Sequence, residues 1–138
     1  MPISLTYMSR PAERFDEPAL QDLLTYARAH NLANAVTGVL LYSGRCFLQT
    51  LEGPAEAVDE TYDRICRDPR HYDLNVLWRE EIEERLFGEW TMGYRTSRDE
   101  QLQGFVSLAD HAADARDKAG APGSRCLAFH RAFRSMRP

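Results

Sequence analysis

Two kinds of periodicity divide most of the chain into strands and helices. Residues that alternate between apolar and polar predict three strands, at 3–9, 74–78 and 90–94. Two more strands, at 36–43 and 46–52, are expected to form a hairpin with Gly44 in its turn. The first helix is expected to begin at Asp16, which can cap it, and to end near Asn31. A second helix is expected at 54–68, and the charged stretch 79–85 then connects the last two strands.

This order of elements is typical of an α+β ferredoxin-like sandwich, a βαββαββ arrangement with two helices on one sheet face. The second and third strands are apolar on both faces, so we expect them at the centre of the sheet. Residues 1–96 then form the domain. Residues 97–138 carry two amphipathic stripes separated by the turn-rich stretch 119–124. They predict a C-terminal helical hairpin that is an extension of the domain, docked on the open sheet face or on a partner.

Four polar residues occupy positions where the surrounding pattern predicts burial: Tyr7, Ser9, Asn31 and Gln49. Gln49, for example, shares its strand face with Phe47 and Leu51. An unpaired buried amide costs ~1 to 3 kcal/mol, so such a residue needs a polar group opposite it. Together these side chains predict a flat ligand with heteroatoms along its edge, bound under the sheet.

Composition and charge narrow the classes of function. The 138 residues suit one soluble domain, no apolar run has membrane-spanning length, and the N-terminus lacks a signal-peptide pattern. We therefore expect a cytoplasmic protein without a membrane partner. The three cysteines have no paired spacing, so neither a disulfide framework nor a zinc site is indicated. With a net charge of −4, nothing indicates a nucleic-acid surface, and the basic stretch 125–138 is expected to contact an acidic patch of this or another subunit.

Five stretches, in order and at family-like spacing, resemble the BLUF family, the sensors of blue light using FAD. They lie at residues 7–10, 31–42, 47–53, 64–71 and 85–92, and the resemblance covers residues 3 to about 96. The chain departs from the family at His30, where many members have a second Asn, and at Thr91, which replaces a common Ser. Neither change removes a residue on which the family's photochemistry depends. Beyond residue 96 the chain is similar to short stand-alone members in architecture only.

The resemblance implies a blue-light photoreceptor and not an enzyme, with an isoalloxazine ring between the two helices. In family members the excited flavin takes an electron and a proton from a tyrosine and returns them. The glutamine is left rotated or tautomerised, and a new hydrogen bond to flavin O4 gives a red-shifted signalling state. The photoactive residues implied here are Tyr7, Ser9, Gln49, Trp90 and Met92. The implied cofactor-binding residues are Tyr7, His30, Asn31, Gln49, Arg64, Ile65 and Asp68.

The same resemblance implies FAD as the cofactor. Few cationic groups are evident for a dinucleotide tail, so FMN or riboflavin could also bind. Because no output enzyme is attached, we expect the signal to leave through the fifth strand, with Trp90 and Met92, and the C-terminal helices. The expected partners are a separate downstream protein and further copies of the chain in a homo-oligomer.

Several of these residues also have ordinary structural interpretations. Tyr7 suits an aromatic core position, Gln49 a strand edge, and Asn31 a helix C-cap. Arg64 and Asp68 could form a surface pair one helical turn apart.

Trp90 and Met92 on one strand face suit core packing, and we interpret Arg70 and His71 as structural.

Two other classes of function remain open. One is an acylphosphatase-like enzyme on the same fold, although the loop at 11–18 lacks a glycine-rich phosphate cradle. The other is a cofactor-free interaction module.

Overall fold

The protein is a five-stranded sheet with two helices on one face. The computed structural model describes residues 2–96, 98–104 and 131. The elements are β1 (Ile3–Pro11), α1 (Glu17–Ala33), β2 (Thr37–Tyr42), β3 (Phe47–Gly53), α2 (Ala55–Cys66), β4 (His71–Glu81) and β5 (Gly93–Thr96). The strand order is β4-β1-β3-β2-β5, and only β2 and β5 are parallel. The predicted βαββαββ fold is therefore confirmed, with β3 at the centre of the sheet.

The two helices cover what we call the front face of the sheet. Asp16 caps α1 by accepting a hydrogen bond from the Ala19 N–H at 2.9 Å, as its position predicts. The helix ends at a C-cap on Asn34, so the interpretation of Asn31 as the cap is wrong; Asn31 lies inside the helix and is buried. The front-face core joins apolar residues of the strands to Leu24 of α1 and Val58 of α2.

The opposite face, the back face, has its own apolar cluster. Its buried members are Val39, Leu41, Cys46, Leu48, Trp78, Phe87 and Leu102. Leu102 belongs to a short helical stretch at 99–104 and is fully buried, so the first C-terminal stripe begins on this face. The remainder of the predicted helical hairpin lies outside the described residues.

A buried carboxylate fixes the connection between β4 and β5 to the back face. Glu52 of β3 is fully buried, and its two oxygens accept the backbone N–H groups of Leu86 and Phe87, each at 2.8 Å. Burial raises the pKa of the Glu52 carboxyl above its ordinary value, whereas the two hydrogen bonds favour the charged form and limit that rise. The connection is thus held to the centre of the sheet.

The predicted bounds of the last two strands are wrong. β4 begins at His71, three residues before the expected start. β4 continues to Glu81, which pairs with Ile3, so part of the predicted charged connection belongs to the sheet. β5 begins only at Gly93; Met92 precedes it in a bend, and Trp90 lies in the irregular connection before that bend. The Trp90 N–H bonds the Phe87 carbonyl and the Trp90 carbonyl accepts from Gly38, which makes a turn where the alternation predicted a strand.

Candidate functional site

A cavity of about 520 Å³ lies between α1, α2 and the front face of the sheet. Its volume falls in the range of small-molecule pockets, ~300 to 1,000 Å³. Its wall is largely apolar and aromatic, with a small number of convergent polar groups. Of the residues singled out from the sequence, those that line it are Tyr7, Asn31, Gln49, Arg64, Ile65 and Asp68.

Tyr7 and Gln49 form a buried pair in the cavity wall. They lie directly opposite each other in the antiparallel β1–β3 ladder, and the Tyr7 hydroxyl donates to Gln49 Oε1. Burial raises the pKa of the Tyr7 phenol well above its ordinary value, and the nearby Tyr62 adds to the rise. Tyr7 therefore keeps its proton at physiological pH. The polar group that the sequence required opposite Gln49 is this phenol.

The Gln49 amide is held at both ends. Its Nε2 donates to the Met92 sulfur at 3.4 Å, while its oxygen accepts from Tyr7. A thioether only accepts hydrogen bonds, so these two partners together define which end of the amide is nitrogen. A half-turn of the amide would exchange its donor and acceptor ends between Tyr7 and Met92. This side chain can therefore present two different hydrogen-bonding patterns to a ligand in the cavity.

Asn31 faces the cavity from α1 and also holds the segment before β5. Its Nδ2 donates to the Thr91 carbonyl at 2.7 Å, which fixes the amide orientation because a carbonyl only accepts. The Asn31 oxygen and one amide hydrogen then remain for a ligand. The prediction that Asn31 offers both a donor and an acceptor is compatible with this geometry.

Trp90 and Met92 lie on opposite faces of the sheet, so the expectation that they share one strand face is wrong. Met92 is 2 % exposed and belongs to the front-face core with Tyr7. Trp90 packs against the back-face cluster, and its ring stacks on Phe87 with centroids 6.1 Å apart. The turn at 87–90 reverses the alternation on which the expectation relied.

Three arginines line the cavity near its mouth: Arg64, Arg67 and Arg70. The expectation of few cationic groups is therefore wrong. Asp68 pairs with Arg70 through contacts of 2.6 to 3.0 Å, in place of the possible pair with Arg64. The Arg70 guanidinium beside it lowers the pKa of the Asp68 carboxyl below its ordinary value.

Arg64 contacts α1 instead. Its Nη1 donates to the Tyr26 hydroxyl, and its guanidinium carbon lies 4.8 Å from the centroid of that ring. Arg64 Nε is buried and has no hydrogen-bond partner among the described residues. A buried guanidinium donor without an acceptor indicates that an electronegative ligand group suits this position.

Ser9 and His30 lie beside the cavity and are not part of its lining. Ser9 is buried and bonds His71 Nδ1 at 2.9 Å, while His71 Nε2 lies 2.7 Å from the Ile65 carbonyl. Because that carbonyl only accepts, Nε2 carries a hydrogen and donates it to the Ile65 carbonyl. His30 contacts Thr61 at 3.3 Å, and its pKa is lowered by burial and by Arg64.

Sequence reasoning did not assign several residues of the wall to the ligand site: Phe15, Leu23, Tyr26, Ala27, Thr61, Arg67, Arg70 and His71. Helical spacing had placed Leu23 and Ala27 on the apolar stripe that leads to Asn31, but as core residues. Arg70 and His71, which we interpreted as structural, come from the helix–strand connection and the first residue of β4. In a connection or at the first residue of a strand, the sequence has no repeating apolar pattern that would predict whether a side chain points into the cavity.

The loop after β1 does not offer the anion cradle of an acylphosphatase-like enzyme. Two of its backbone N–H groups are already used, by the Arg70 carbonyl and by the Tyr42 hydroxyl. In the described part of the chain, no cluster of three His, Cys, Asp or Glu residues could bind a metal ion. No helix at 2–96 or 98–104 is both long and apolar enough to cross a membrane.

Comparison with known proteins assigns a family to this arrangement. Residues 3–93 match the family model described as BLUF, sensors of blue-light using FAD. The chain is 39 % identical over 111 residues to photoactivated adenylate cyclase subunit beta of Euglena gracilis, covering 78 % of this chain and 12 % of the relative. It is 40 % identical over 86 residues to the blue light- and temperature-regulated antirepressor BluF of Escherichia coli K12, covering 61 % of this chain and 21 % of the relative.

The chain thus spans a small part of the length of these curated relatives. A solved structure of similar size is the dark state of BlrB, described as a BLUF protein. The two share 32 % sequence identity at a TM-score of 0.65, over 96 % of this chain and 94 % of that one.

Proposed function

Because the chain belongs to the BLUF family of blue-light sensors, we propose that it binds a flavin in the cavity under the sheet and responds to blue light through Tyr7 and Gln49. The family is one of sensor modules and not of enzymes, in agreement with the expectation from the sequence. The observation that carries the proposal is the hydrogen bond from the Tyr7 phenol to the Gln49 amide inside this cavity.

The residues present fit a flavin ring. Asn31 and Gln49 each keep a free amide hydrogen, and Asn31 also keeps its oxygen, so together they suit a ring edge that carries carbonyl and N–H groups. Ile65 and the aromatic residues of the wall supply the apolar faces. Arg64, with its unpartnered buried Nε, suits an electronegative atom of the ring or its chain.

A bound flavin would supply the absorption of blue light and an acceptor for one electron and one proton. Tyr7 is the donor in this proposal: its phenol stays protonated in the dark, and its hydroxyl hydrogen already points to Gln49. Loss and return of that proton would free Gln49 Oε1 for long enough to let the amide rotate or tautomerise. After the change, a different amide edge faces the cavity, which alters hydrogen bonding to the ligand.

We propose that the flavin is FAD, as in the family description, and that its phosphates contribute to binding. FMN and riboflavin are the alternatives to FAD. The three arginines at the cavity mouth support this choice, since guanidinium groups bind phosphate oxygens through paired hydrogen bonds. Asp68 holds Arg70 in place and so orders one of these cations.

The signal is proposed to pass to a separate protein partner or to other copies of the chain. One relative is named as an antirepressor and another as a cyclase subunit, so sensors of this family work with different outputs. Neither output is assigned to this chain.

The test is to purify the protein, supply FAD, FMN and riboflavin separately, and record absorption before and after blue light. We expect a yellow protein with a reversible red shift, and tighter binding of FAD or FMN than of riboflavin. Chromatography of heat-released cofactor identifies the flavin retained during purification. A chain that binds none of the three would leave the cofactor-free interaction module as the better proposal. Equal affinity for all three would overturn the phosphate assignment alone.

A further inference from the structure

Two side chains of α1, one helical turn apart, donate hydrogen bonds to consecutive carbonyl groups of the segment before β5. Asn31 Nδ2 bonds the Thr91 carbonyl at 2.7 Å, and Arg28 Nε bonds the Met92 carbonyl at 3.0 Å. Residues at i and i+3 lie on one face of a helix, so both donors reach the same segment. The backbone that carries Met92 is therefore held from α1 at two adjacent points.

Arg28 differs from Asn31 in its surroundings. Asn31 lines the main cavity, whereas Arg28 is an exposed residue that lines a separate surface groove of about 380 Å³ together with Glu89 and Arg95. Arg28 therefore has no direct contact with the proposed flavin site. Its bond is to the backbone of the residue whose sulfur accepts the Gln49 amide.

We infer that Arg28 is a positioning residue for the light response, an inference that rests on the proposed function. Its hydrogen bond favours the arrangement in which the Met92 sulfur lies against Gln49. A group that contacts one arrangement and not the other shifts the balance between them. Without Arg28, the segment leaves this arrangement more readily, and return to it after illumination has a smaller driving force.

The test compares Arg28→Met, which keeps the length of the side chain but removes its donors, with Arg28→Lys, which keeps a charged donor. Arg14→Met is the matched control, because Arg14 is exposed in the loop before α1 and does not line either pocket. The measurements are the thermal midpoint, flavin affinity, the rate of dark recovery, and hydrogen exchange of peptides covering residues 90–96.

Loss of one charge-assisted hydrogen bond to the segment should slow dark recovery about fivefold in Arg28→Met. Exchange at 90–96 should rise and the thermal midpoint should fall by about 5 °C or less, while flavin affinity stays close to that of the wild type. Arg28→Lys should recover within about twofold of wild type, and Arg14→Met should match it.

A recovery rate in Arg28→Met within twofold of wild type, or a faster one, would overturn the inference. So would an equal slowing in Arg14→Met. If the wild type shows no light response, the proposed function fails by itself. Exchange at 90–96 in the flavin-free proteins still tests whether Arg28 holds the segment, and equal exchange in wild type and Arg28→Met would refute it.

Discussion

Gln49 lies between a donor, the Tyr7 hydroxyl, and an acceptor, the Met92 sulfur. The two partners differ in strength, because hydrogen bonds to thioether sulfur are weak. The bond to Tyr7 is therefore the main restraint on the amide. An event that removes the Tyr7 proton, even briefly, removes that restraint while leaving the packing around Gln49 unchanged.

Replacing Gln49 with Leu should preserve flavin binding and abolish the light-induced red shift. Leucine has a similar volume and no polar group to rearrange, and Asn31 and the apolar walls of the cavity remain. Absorption spectra before and after illumination, with flavin affinity measured on the same sample, test this prediction.

Tyr7→Phe is the companion variant, since it keeps the ring and removes only the hydroxyl. It too should bind flavin and lose the productive cycle. A normal reversible shift in either variant would contradict the proposed role of the pair. Loss of flavin binding in Gln49→Leu would instead place Gln49 among the residues that hold the ligand.

The buried polar residues could be predicted from the sequence because strand periodicity fixes which face a side chain occupies. Tyr7, Ser9 and Gln49 prove buried for this reason, and Asn31 proves buried because helical spacing continues the apolar stripe of α1 to it. The pairing of Asp68 could not be predicted, because Arg64 and Arg70 are both within reach along the chain. Only the backbone turn after α2 directs Asp68 to Arg70.

At the scale of the elements, side-chain hydrogen bonds hold the connection from β4 to β5 against the sheet, although this connection is not itself a strand. Glu52 fixes its middle and Asn31 fixes its end. The apolar alternation of residues 90–94 predicted a strand, but 90–92 lie outside the sheet, where the Trp90 and Thr91 carbonyls accept hydrogen bonds from Gly38 and Asn31. A pattern read along the chain contains no information about such distant donors, and Glu52 itself was not singled out from the sequence.

Glu52→Ala should lower the free energy of unfolding by about 3 kcal/mol, because two buried N–H groups lose their acceptor. Chemical denaturation of the variant and the wild type measures the difference. Glu84→Ala is the control, since Glu84 is an exposed residue of the same connection, and it should change stability by under ~0.5 kcal/mol.

A loss below about 1 kcal/mol in Glu52→Ala would mean that water or a shift of the backbone satisfies the Leu86 and Phe87 N–H groups. Comparable losses in the two variants would show that the effect comes from removing negative charge. Either result would leave the connection without its proposed anchor.

At the scale of the whole molecule, the segment 90–93 has side chains that pack on both faces of the sheet. Met92 packs with Tyr7 in the front-face core and contacts Gln49, and Trp90 packs with the cluster that includes Leu102 on the back face. Residues 98–104 follow β5 directly in the chain. A change at Gln49 therefore has a short physical route to the start of the C-terminal region.

Blue light should alter hydrogen exchange in peptides covering 90–96 and 98–104, with little change in the first half of α1. The reason is that the segment 90–96 contains Met92, which contacts Gln49, whereas the start of α1 has no such contact. Mass spectrometry of the full chain with bound flavin, in dark and light, measures this.

The Gln49→Leu variant under the same illumination should show no difference between dark and light. Unchanged protection at 90–104 in the wild type would exclude this route for the signal. Size measurements in dark and light, made alongside, test whether self-association changes.

The β1–β3 register places Tyr7 and Gln49 opposite each other. Glu52 lies three residues after Gln49 in β3, so its side chain points to the opposite face of the sheet. A shift of one residue in a strand exchanges all its front and back side chains. Such a shift would move the amide out of the cavity and the carboxylate into it, ending both the proposed light response and the anchoring of the connection. We therefore expect no insertions or deletions within β3 in related proteins that keep the same function. Changes of length in the exposed hairpin around Arg45 leave the pairing intact and remain open to evolution.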